Sequence, residues 1–489
     1  MVAEAGRMTL LLGIDEGTSA VKAVLYDADL RPVAEARREK RLSHPRPGWV
    51  EQDPEEVLST VVGAVGELLA DATEPVTACG LDHQGESVLA WEAEEGRPLT
   101  PIVTWQDKRS QEVLDRLEAS GQADEVVRRS GMPLDPYFSA GKLAWLLEHD
   151  RAVQKAQQVG TLRMGTVDSF LCDRLGAGFQ TDPSTASRTQ LGAPAWDPEL
   201  LEVFGVPAEV LPTLADTVGD LGALRHPSWS QELPLRARCV DQQAALAGAG
   251  CVRPGLVKAT YGTGVFVLAH AGDERPTPGG GLLPTVAWSV DGAVEWAIDG
   301  GVFTAGALLD WLSRDLGLAG DPAALAAAAA TVEDSAGVKV LPALAGVGAP
   351  WWRPEARAVI AGLSAGSHPA HIARAALDAI AWRVADIVSV IQETVPVEVL
   401  RVDGGLTRDP TLMQLQAEAA GLTVQRGPVD ATAAGAAALA AVGEGIWSST
   451  LEIEARVPVG ERFEPQRESG WRAAARDEWR RFVERAAKL

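Results

Sequence analysis

The sequence predicts an α/β protein built from two large domains that share one architecture. The chain has 489 residues, which exceeds the length at which a single hydrophobic core is usual. Short apolar strands alternate with helical segments, as in a layered α/β domain. A strand–turn–strand unit also occurs once in each half of the chain, and this indicates a duplicated domain.

The first half opens with a predicted antiparallel meander. Residues 9–14 form a continuous apolar run, typical of a buried strand, and end at a Gly17-Thr18-Ser19 turn. Residues 21–26 and 32–38 read as the next two strands. Asp53 and Pro54 have the residue types preferred at a helix N-cap and first turn, so a helix is expected there, followed by a strand at 76–81.

The second half repeats this opening. Residues 256–260 and 265–269 are strand-like and flank Gly262-Thr263-Gly264, about 245 residues after the first Gly-Thr turn. We place the domain boundary after an apolar helix at 242–249, giving domains 1–250 and 251–489. An amphipathic helix at 471–489 closes the chain.

Composition limits the classes of function. Hydrophobic residues make up 46% of the chain, charged residues 23%, and the formal net charge is -23. Such an acidic protein is not expected to bind nucleic acid or an anionic membrane as its main partner. The four cysteines form no CxxC pair, no apolar run is long enough to span a bilayer, and residues 1–8 lack a signal-peptide pattern. We expect a cytoplasmic protein.

The glycine turns carry the first chemical signal. A Gly-Thr turn exposes backbone N–H groups and a small hydroxyl, which suits phosphate oxygens. Either turn alone is typical of a plain hairpin, but two of them favour a phosphate site, and Asp15 stands where a carboxylate can hold Mg²⁺. A third turn at 401–405 either ends a strand or lets the backbone approach a flat group.

Two further polar residues have alternative interpretations. Asp241 opens an apolar helix, where a carboxylate serves as an N-cap and also stays ionised as a general base. His83 is expected to be a hydrogen-bonded histidine at a strand end rather than a metal ligand, because no second histidine stands at ligand spacing.

Several motifs in order resemble the FGGY carbohydrate kinase family, and within it the glycerol kinases. The resemblance runs from residue 11 to about 445. The motifs are GIDEGTS (13–19), PGWVEQDP (47–54), DPYFS (135–139), GTVDS (165–169), DQQAAL (241–246), TYGTG (260–264), PALAGVGAPW (342–351) and RVDGG (401–405).

The resemblance implies two actin-like (ribonuclease H-like) ATPase domains with ATP and substrate in an inter-domain cleft. It makes Asp241 the base that accepts a proton from a primary hydroxyl, and Asp15 the Mg²⁺ ligand. Domain 1 would bind ATP phosphates and domain 2 a phosphate and the adenosine. The nucleotide-binding residues it implies are Thr18, Ser19, Lys22, Thr263, Gly306, Asp310, Gly405 and Asp409.

For the acceptor, the resemblance implies hydroxyl partners and apolar walls; these residues are Glu86, Trp105, Tyr137, Asp241, Gln242 and Phe266. Glycerol kinases carry NQRET where this chain has HQGES, so an arginine is replaced by Gly85. Gly85 is expected to open space, which keeps a longer polyol or a ketose as an alternative to glycerol. A non-catalytic sugar sensor is a third interpretation. We also expect a homo-oligomer, a dimer or a tetramer.

Overall fold

A computed structural model describes residues 9–428 and 430–489, which form two compact units. Unit 1 contains the described residues up to Gly250 together with Thr285–Trp296 and Ala431–Val457. Unit 2 contains the described residues of Cys251–Pro284, Ala297–Asp430 and Pro458–Leu489. The second half of the chain therefore contributes two segments to unit 1. The sequence-based expectation about a signal peptide concerns residues 1–8, outside the described residues.

Twenty-one strands are found in the described residues. They are β1 Leu10–Glu16, β2 Ala20–Tyr26, β3 Pro32–Glu39, β4 Glu51–Gln52, β5 Val76–His83, β6 Val88–Glu92, β7 Ile102–Val103, β8 Leu162–Thr166, β9 Gln180–Thr181, β10 Thr213–Leu214, β11 Ala223–Leu224, β12 Leu233–Val240, β13 Gly255–Tyr261, β14 Val265–Gly272, β15 Leu283–Val290, β16 Ala293–Val302, β17 Lys339–Leu341, β18 Val359–Ala361, β19 Val397–Asp403, β20 Thr423–Arg426 and β21 Arg462–Phe463.

Sixteen α-helices are found in the same residues. They are α1 Pro54–Asp71, α2 Gln111–Ala119, α3 Ala123–Ser130, α4 Ser139–His149, α5 Arg151–Gln158, α6 Val167–Arg174, α7 Pro183–Ala186, α8 Pro198–Phe204, α9 Asp241–Gly248, α10 Gly306–Asp310, α11 Pro322–Ala329, α12 Pro369–Thr394, α13 Pro410–Ala420, α14 Ala431–Gly443, α15 Leu451–Arg456 and α16 Ser469–Ala486. No helix among them combines the length and the apolar character needed to cross a bilayer.

The main sheet of unit 1 has the strand order β11-β12-β5-β1-β2-β3. Strands β1, β2 and β3 pair antiparallel, so the predicted meander is confirmed. Strand β5 lies parallel to both β1 and β12. The carboxyl ends of these three parallel strands therefore meet at one edge, which is where ligands bind in open α/β sheets.

A second sheet repeats this topology in the order β15-β16-β14-β13-β19-β20-β21. Here β13 pairs antiparallel with β14 and parallel with β19, and β19 is parallel to β20. In both sheets an antiparallel hairpin is followed by two parallel strands and then an antiparallel edge strand. The predicted duplication is confirmed.

Local signals explain where the predicted elements begin. The carboxylate of Asp53 accepts a hydrogen bond from the N–H of Glu55 and caps α1, with Pro54 in the first turn. This satisfies an N–H group that has no partner within the helix. Four valine and leucine residues at helical spacing then bury one face of α1 against the sheet: Val57, Val61, Val65 and Leu68.

Helix α14 packs directly on the unit 1 sheet and on α9, and glycine makes this contact possible. A Cβ atom added at Gly13 in β1 or Gly80 in β5 would overlap a backbone carbonyl of α14. A Cβ atom added at Gly248 of α9 would likewise overlap the backbone of α14, and one added at Gly435 of α14 would overlap the backbone of α9. Glycine lets backbones approach this closely because it has no side chain.

Replacing Gly80 by alanine tests this contact. The added methyl group would collide with the carbonyl group of Ala436, and we expect the free energy of unfolding to fall by at least about 2 kcal/mol. Urea unfolding of Gly80→Ala measures this. Gly470→Ala is the matched control, because no atom lies within 4 Å of its added Cβ, and a change below about 1 kcal/mol is expected there. Equal effects at the two sites would contradict the interpretation.

Candidate active site

Three aspartates gather at the carboxyl ends of the parallel strands in unit 1. Asp15 and Asp82 face each other in the register of β1 and β5. Asp241 directly follows β12, whose last residue, Val240, pairs with His83 at the end of β5. The sheet therefore places the predicted metal residue and the predicted base on one edge, and it adds Asp82, which sequence reasoning missed.

Asp82 is a buried carboxyl group in an unfavourable environment. It is fully buried, and neither of its oxygen atoms has a hydrogen-bond donor among the described residues. Burial above all, and then the charges of Asp15 and Asp241, raise the pKa of Asp82 well above its usual range. One sequence signal was available, because Asp82 is an acid next to the end of a mostly apolar strand.

Asp241 is the first residue of α9, and the N-cap is Val240, which makes no side-chain capping bond. The interpretation of Asp241 as an N-cap is therefore wrong by one position. A carboxylate in the first turn is still favoured by the helix dipole, which helps it to remain ionised. Asp241 and Gln242 are half-buried, whereas Gln243 is buried and donates to the hydroxyl of Thr285.

The first Gly-Thr turn is tied to its neighbours through Thr18. The indole Nε1 of Trp105 donates to the hydroxyl oxygen of Thr18 at 2.9 Å, and Nε2 of Gln52 donates to its carbonyl oxygen at 2.7 Å. The hydroxyl proton of Thr18 thus remains available for a phosphate oxygen. Ser19 is exposed in the same turn, and Lys22 lies 3.1 Å from Glu35.

A buried polar network lies beneath this turn. Glu16 and Lys40 form an ion pair whose side chains are fully buried. Gln84 donates to Glu16 and to Gln52, at 2.9 Å in the latter case, and accepts a hydrogen bond from Ser87. These bonds hold the loop after β5, which carries Glu86, against the turn after β1.

The predicted acceptor residues of unit 1 come together around Glu86. Nε of Arg188 donates to the Glu86 carboxylate at 2.7 Å, and both side chains are only 6% exposed. The rings of Trp105 and Tyr137 meet edge to face at 5.7 Å, and the Arg188 guanidinium lies 5.8 Å from the Tyr137 ring. Arg188 was not predicted. It follows a segment of serine and threonine residues (184–187) and is not part of any glycine motif.

Lys142 of α4 contacts the backbone of these acceptor residues. Its ammonium group donates to the backbone carbonyl oxygens of Glu86, Tyr137 and Phe138. The side chain is fully buried, and desolvation lowers its pKa to about 7. One lysine therefore fixes the backbone of two predicted acceptor residues.

The expectation of open space at Gly85 is wrong. A Cβ atom at Gly85 would lie 2.6 Å from Cγ1 of Val240 and 2.9 Å from its Cγ2. The two methyl groups of Val240 occupy the position where a longer side chain would start. Relative to an arginine, this position loses hydrogen-bond donors and gains no room.

His83 behaves as the sequence indicated. Its Nε2 lies 2.9 Å from the Thr185 hydroxyl and 3.4 Å from Asp168, and all three residues are buried. Arg238 lies 3.4 Å from the other oxygen of Asp168. His83 is thus part of an internal polar network behind β5.

In unit 2 the second Gly-Thr turn meets the helix that carries Gly306. The N–H groups of Ala305 and Ala307 donate to the carbonyl oxygen of Thr263, and the N–H of Gly306 donates to that of Gly262. A Cβ at Gly306 would lie 2.6 Å from this carbonyl oxygen, so the contact requires glycine.

The third glycine turn packs against the second one. Gly404 has φ +93°, and a Cβ there would overlap the backbone of Tyr261. Strands β13 and β19 run parallel with Thr260 opposite Asp403, so both turns leave the sheet at the same edge. The turn therefore ends a strand and needs glycine for its contact with Tyr261, and an approach to a flat group stays a prediction.

A cavity of about 570 Å³ lies beside these turns in unit 2. Gly405 and Asp409 line it, as do four small residues of α11 and its end: Ala323, Ala326, Ala327 and Ala330. Sequence reasoning recognised this alanine run only as a helix. The volume and the apolar walls suit a flat heterocycle.

The two aspartates predicted near adenosine differ in position. One oxygen of Asp409 caps α13 through the N–H of Thr411, and the other is buried without a hydrogen-bond partner among the described residues. Asp310 is exposed and lies 3.5 Å from Arg314, and it does not line the cavity.

Phe266, the predicted acceptor residue of unit 2, is half-buried on β14. Within residues 9–428 and 430–489, no group of three or more His, Cys, Asp or Glu side chains is arranged so that it could hold a metal ion.

Comparison with known families accounts for the paired architecture. Residues 10–248 match the N-terminal domain of the FGGY family of carbohydrate kinases, and residues 257–444 match its C-terminal domain. The chain belongs to this family. It is therefore a phosphotransferase with an alcohol group as acceptor and ATP as a substrate, and the expected two-domain α/β kinase fold is confirmed.

Individual members of the family resemble the chain over nearly its full length. A glycerol kinase of Citrifermentans bemidjiense is 40% identical over 97% of this chain and 98% of its own, and one of Carboxydothermus hydrogenoformans is 37% identical over the same shares. The crystal structure of Plasmodium falciparum glycerol kinase with ADP has a TM-score of 0.93 at 28% identity, covering 99% of both chains.

The low pKa of Lys142 predicts a specific pH dependence for this FGGY kinase. An unfolded lysine titrates near 10.4, so between about pH 7 and 10 the unfolded chain holds a proton that the folded chain lacks. The free energy of unfolding therefore rises with pH in this window, by no more than about 1.4 kcal/mol per pH unit from this group. Lys142→Met removes the contribution, so urea unfolding at pH 7 and pH 9.5 should show a smaller rise than in the wild type.

Lys339→Met controls for the general effect of replacing a lysine, because Lys339 lies at the surface beside Glu478. If Lys142→Met retained the full wild-type rise, the lowered pKa of Lys142 would not be its cause.

Proposed function

We propose that this FGGY kinase transfers the γ-phosphoryl group of ATP to a primary hydroxyl of glycerol, forming glycerol 3-phosphate and ADP. The observation that carries the proposal is the hydrogen bond between Trp105 and Thr18 at 2.9 Å. It joins the turn proposed for phosphate to the wall proposed for the acceptor within unit 1. Relatives that are glycerol kinases, 40% identical over 97% of the chain, support glycerol as the acceptor.

Asp241 is the proposed general base. It is half-buried at the first position of α9 and adjacent to the strand-end carboxylates, where it is positioned to accept the hydroxyl proton. Phosphoryl transfer passes through a loose transition state, so alignment of the hydroxyl and neutralisation of charge supply most of the rate. Proton removal by a positioned base contributes roughly 10²–10⁴-fold.

Each unit has a proposed share in binding the nucleotide. Thr18, Ser19 and Lys22 of unit 1 contact phosphate oxygens, and Thr263 contributes from the second Gly-Thr turn. The cavity beside Gly405 and Asp409 holds the adenine, with Gly306 close to the nucleotide. Asp310 stays a proposed nucleotide-binding residue, although it does not line this cavity.

Mg²⁺ is the proposed metal, with Asp15 as its protein ligand. The residues present fit a cation, because Asp82 next to Asp15 has two buried oxygens without donors. When bound, Mg²⁺ neutralises phosphate charge, and it is usually held by one or two carboxylates together with phosphates.

The acceptor would lie among Glu86, Tyr137, Asp241 and Gln242, against Trp105, and Phe266 of unit 2 stays a proposed acceptor residue. Arg188 orients the Glu86 carboxylate, which then accepts from an acceptor hydroxyl. The Val240 methyl groups fill the space beside Gly85, where glycerol kinases carry an arginine, so they favour a small polyol over a longer one. A ketose or a longer polyol is the second candidate, because Gly85 provides none of the donors of an arginine.

The remaining sequence predictions belong to this proposal. Domain 1–250 supplies the acceptor and phosphate-binding residues, and domain 251–489 supplies most of the nucleotide site. A cytoplasmic location and a homo-oligomer, dimer or tetramer, stay predictions.

An acceptor panel tests the reaction. ADP release by the full chain with Mg-ATP is measured with glycerol, erythritol, pentitols, dihydroxyacetone, xylulose and ribulose, and we expect the highest kcat/KM for glycerol. A preference for a longer acceptor would replace glycerol by the second candidate. Absence of turnover with every acceptor would contradict the kinase proposal and favour a sugar sensor.

Asp241→Asn tests the assignment of the base. The amide cannot accept the hydroxyl proton, so kcat should fall by about 10²-fold or more while ATP binding changes little, as measured by calorimetry. Asp53→Asn is the control, because asparagine also caps a helix and Asp53 lies at the start of α1. Turnover that persists in Asp241→Asn would refute Asp241 as the base.

A pair of substitutions tests the role of Val240. Gly85→Arg alone should abolish glycerol turnover or destabilise the protein, because its Cβ collides with the Val240 methyl groups. Val240→Ala removes those groups and leaves its own Cβ at 3.4 Å, so the double variant should regain folding and bind glycerol more tightly than Val240→Ala. KM for glycerol and the midpoint of thermal unfolding are measured for all three. Independent, additive effects would show that Val240 does not occupy this space.

A further inference from the structure

We propose that Asp82 is a second carboxylate of the divalent-cation site, acting beside Asp15 on the cation that accompanies the nucleotide. This inference rests on the proposed kinase function. It makes Asp82 a ligand in addition to Asp15, and it predicts cation binding by two strand-end carboxylates instead of one.

The first argument is the missing partner of Asp82. An ionised carboxylate inside a protein is costly unless it is paired or bound to a metal. Asp82 is fully buried, yet both of its oxygens lack a hydrogen-bond donor among the described residues. A cation bound at this edge of the sheet would supply the positive charge that allows such a group to ionise.

The second argument is that the nearby basic side chains already contact other acids. Three basic residues on or next to the neighbouring strands each have a carboxylate other than that of Asp82 within 3.4 Å. These pairs are Lys22 with Glu35, Lys40 with Glu16, and Arg238 with Asp168. The charges that do act on Asp82 are those of Asp15 and Asp241, which are negative. A bound cation would supply positive charge to Asp82 from outside the chain.

The third argument is position. Asp15 and Asp82 are direct partners in the parallel register of β1 and β5, and the turn after β1 carries Thr18. A cation held here lies next to the residues proposed for the phosphates. Mg²⁺ is commonly bound through one or two carboxylates plus substrate phosphates and water, and a pair of strand-end carboxylates fits this description.

Binding of Mn²⁺, a paramagnetic substitute for Mg²⁺, tests the inference without reference to turnover. Free Mn²⁺ is followed by electron paramagnetic resonance while the full-length protein is titrated at a fixed ADP concentration. We expect the dissociation constant of Mn²⁺ in the ADP complex to increase about tenfold or more in Asp82→Asn and Asp82→Ser. Two variants of different size are used so that the failure of one to fold leaves the test intact.

Asp173→Asn is the matched control, because Asp173 is a partnered carboxylate of unit 1 that contacts Arg163 and Trp91 away from the three aspartates. Its Mn²⁺ affinity should equal that of the wild type. Without metal, Asp82→Asn should unfold at the same temperature as the wild type or higher, since a buried carboxylate without partners is lost.

The outcomes separate the two hypotheses. If the wild type does not retain Mn²⁺ in the presence of ADP, the proposed kinase function fails and the inference with it. If the wild type binds Mn²⁺ and both Asp82 variants bind it equally well, the function stands and the inference is overturned. A lower unfolding temperature with unchanged Mn²⁺ affinity would likewise overturn it and assign Asp82 a structural role.

Discussion

The contact between helix α14 and the main sheet of unit 1 is the constraint on which the arrangement of the site depends. Gly13 and Gly80 lie on the two strands that carry Asp15 and Asp82, and the absence of side chains there lets the helix backbone rest on the sheet. Gly248 and Gly435 allow the same close contact between α14 and α9, and Asp241 is the first residue of α9. One helix thus holds three elements, and those elements carry all three carboxylates.

Much of the fold could be predicted because its signals are local. The apolar run of β1, the Asp53–Pro54 cap of α1 and the two Gly-Thr turns depend on neighbours within a few residues, so their positions follow from the sequence. The strand order and the return of residues 431–457 to unit 1 depend on contacts between distant segments. No spacing in the sequence encodes those contacts. The repeated strand–turn–strand opening could therefore be predicted, whereas the discontinuous unit could not.

The candidate site shows the same division. Residues within recognisable motifs, such as Asp15, Glu86 and Asp241, could be named from the sequence. Arg188 and Lys142 could not, because their importance comes from what they contact: a carboxylate in one case and three carbonyl oxygens in the other. Val240 shows how a single substitution can mislead, since the room left by Gly85 depends on a side chain 155 positions away in the sequence.

The discontinuity of unit 1 has a consequence for how the protein is made. The sheet that carries the strand-end aspartates is synthesised by residue 240, but the helix that covers its glycine face is the segment Ala431–Gly443. Until residues 431–443 have been synthesised, helix α14 cannot cover Gly13 and Gly80. A partial chain ending before residue 431 would lack the helix that covers this surface and would expose it to other chains.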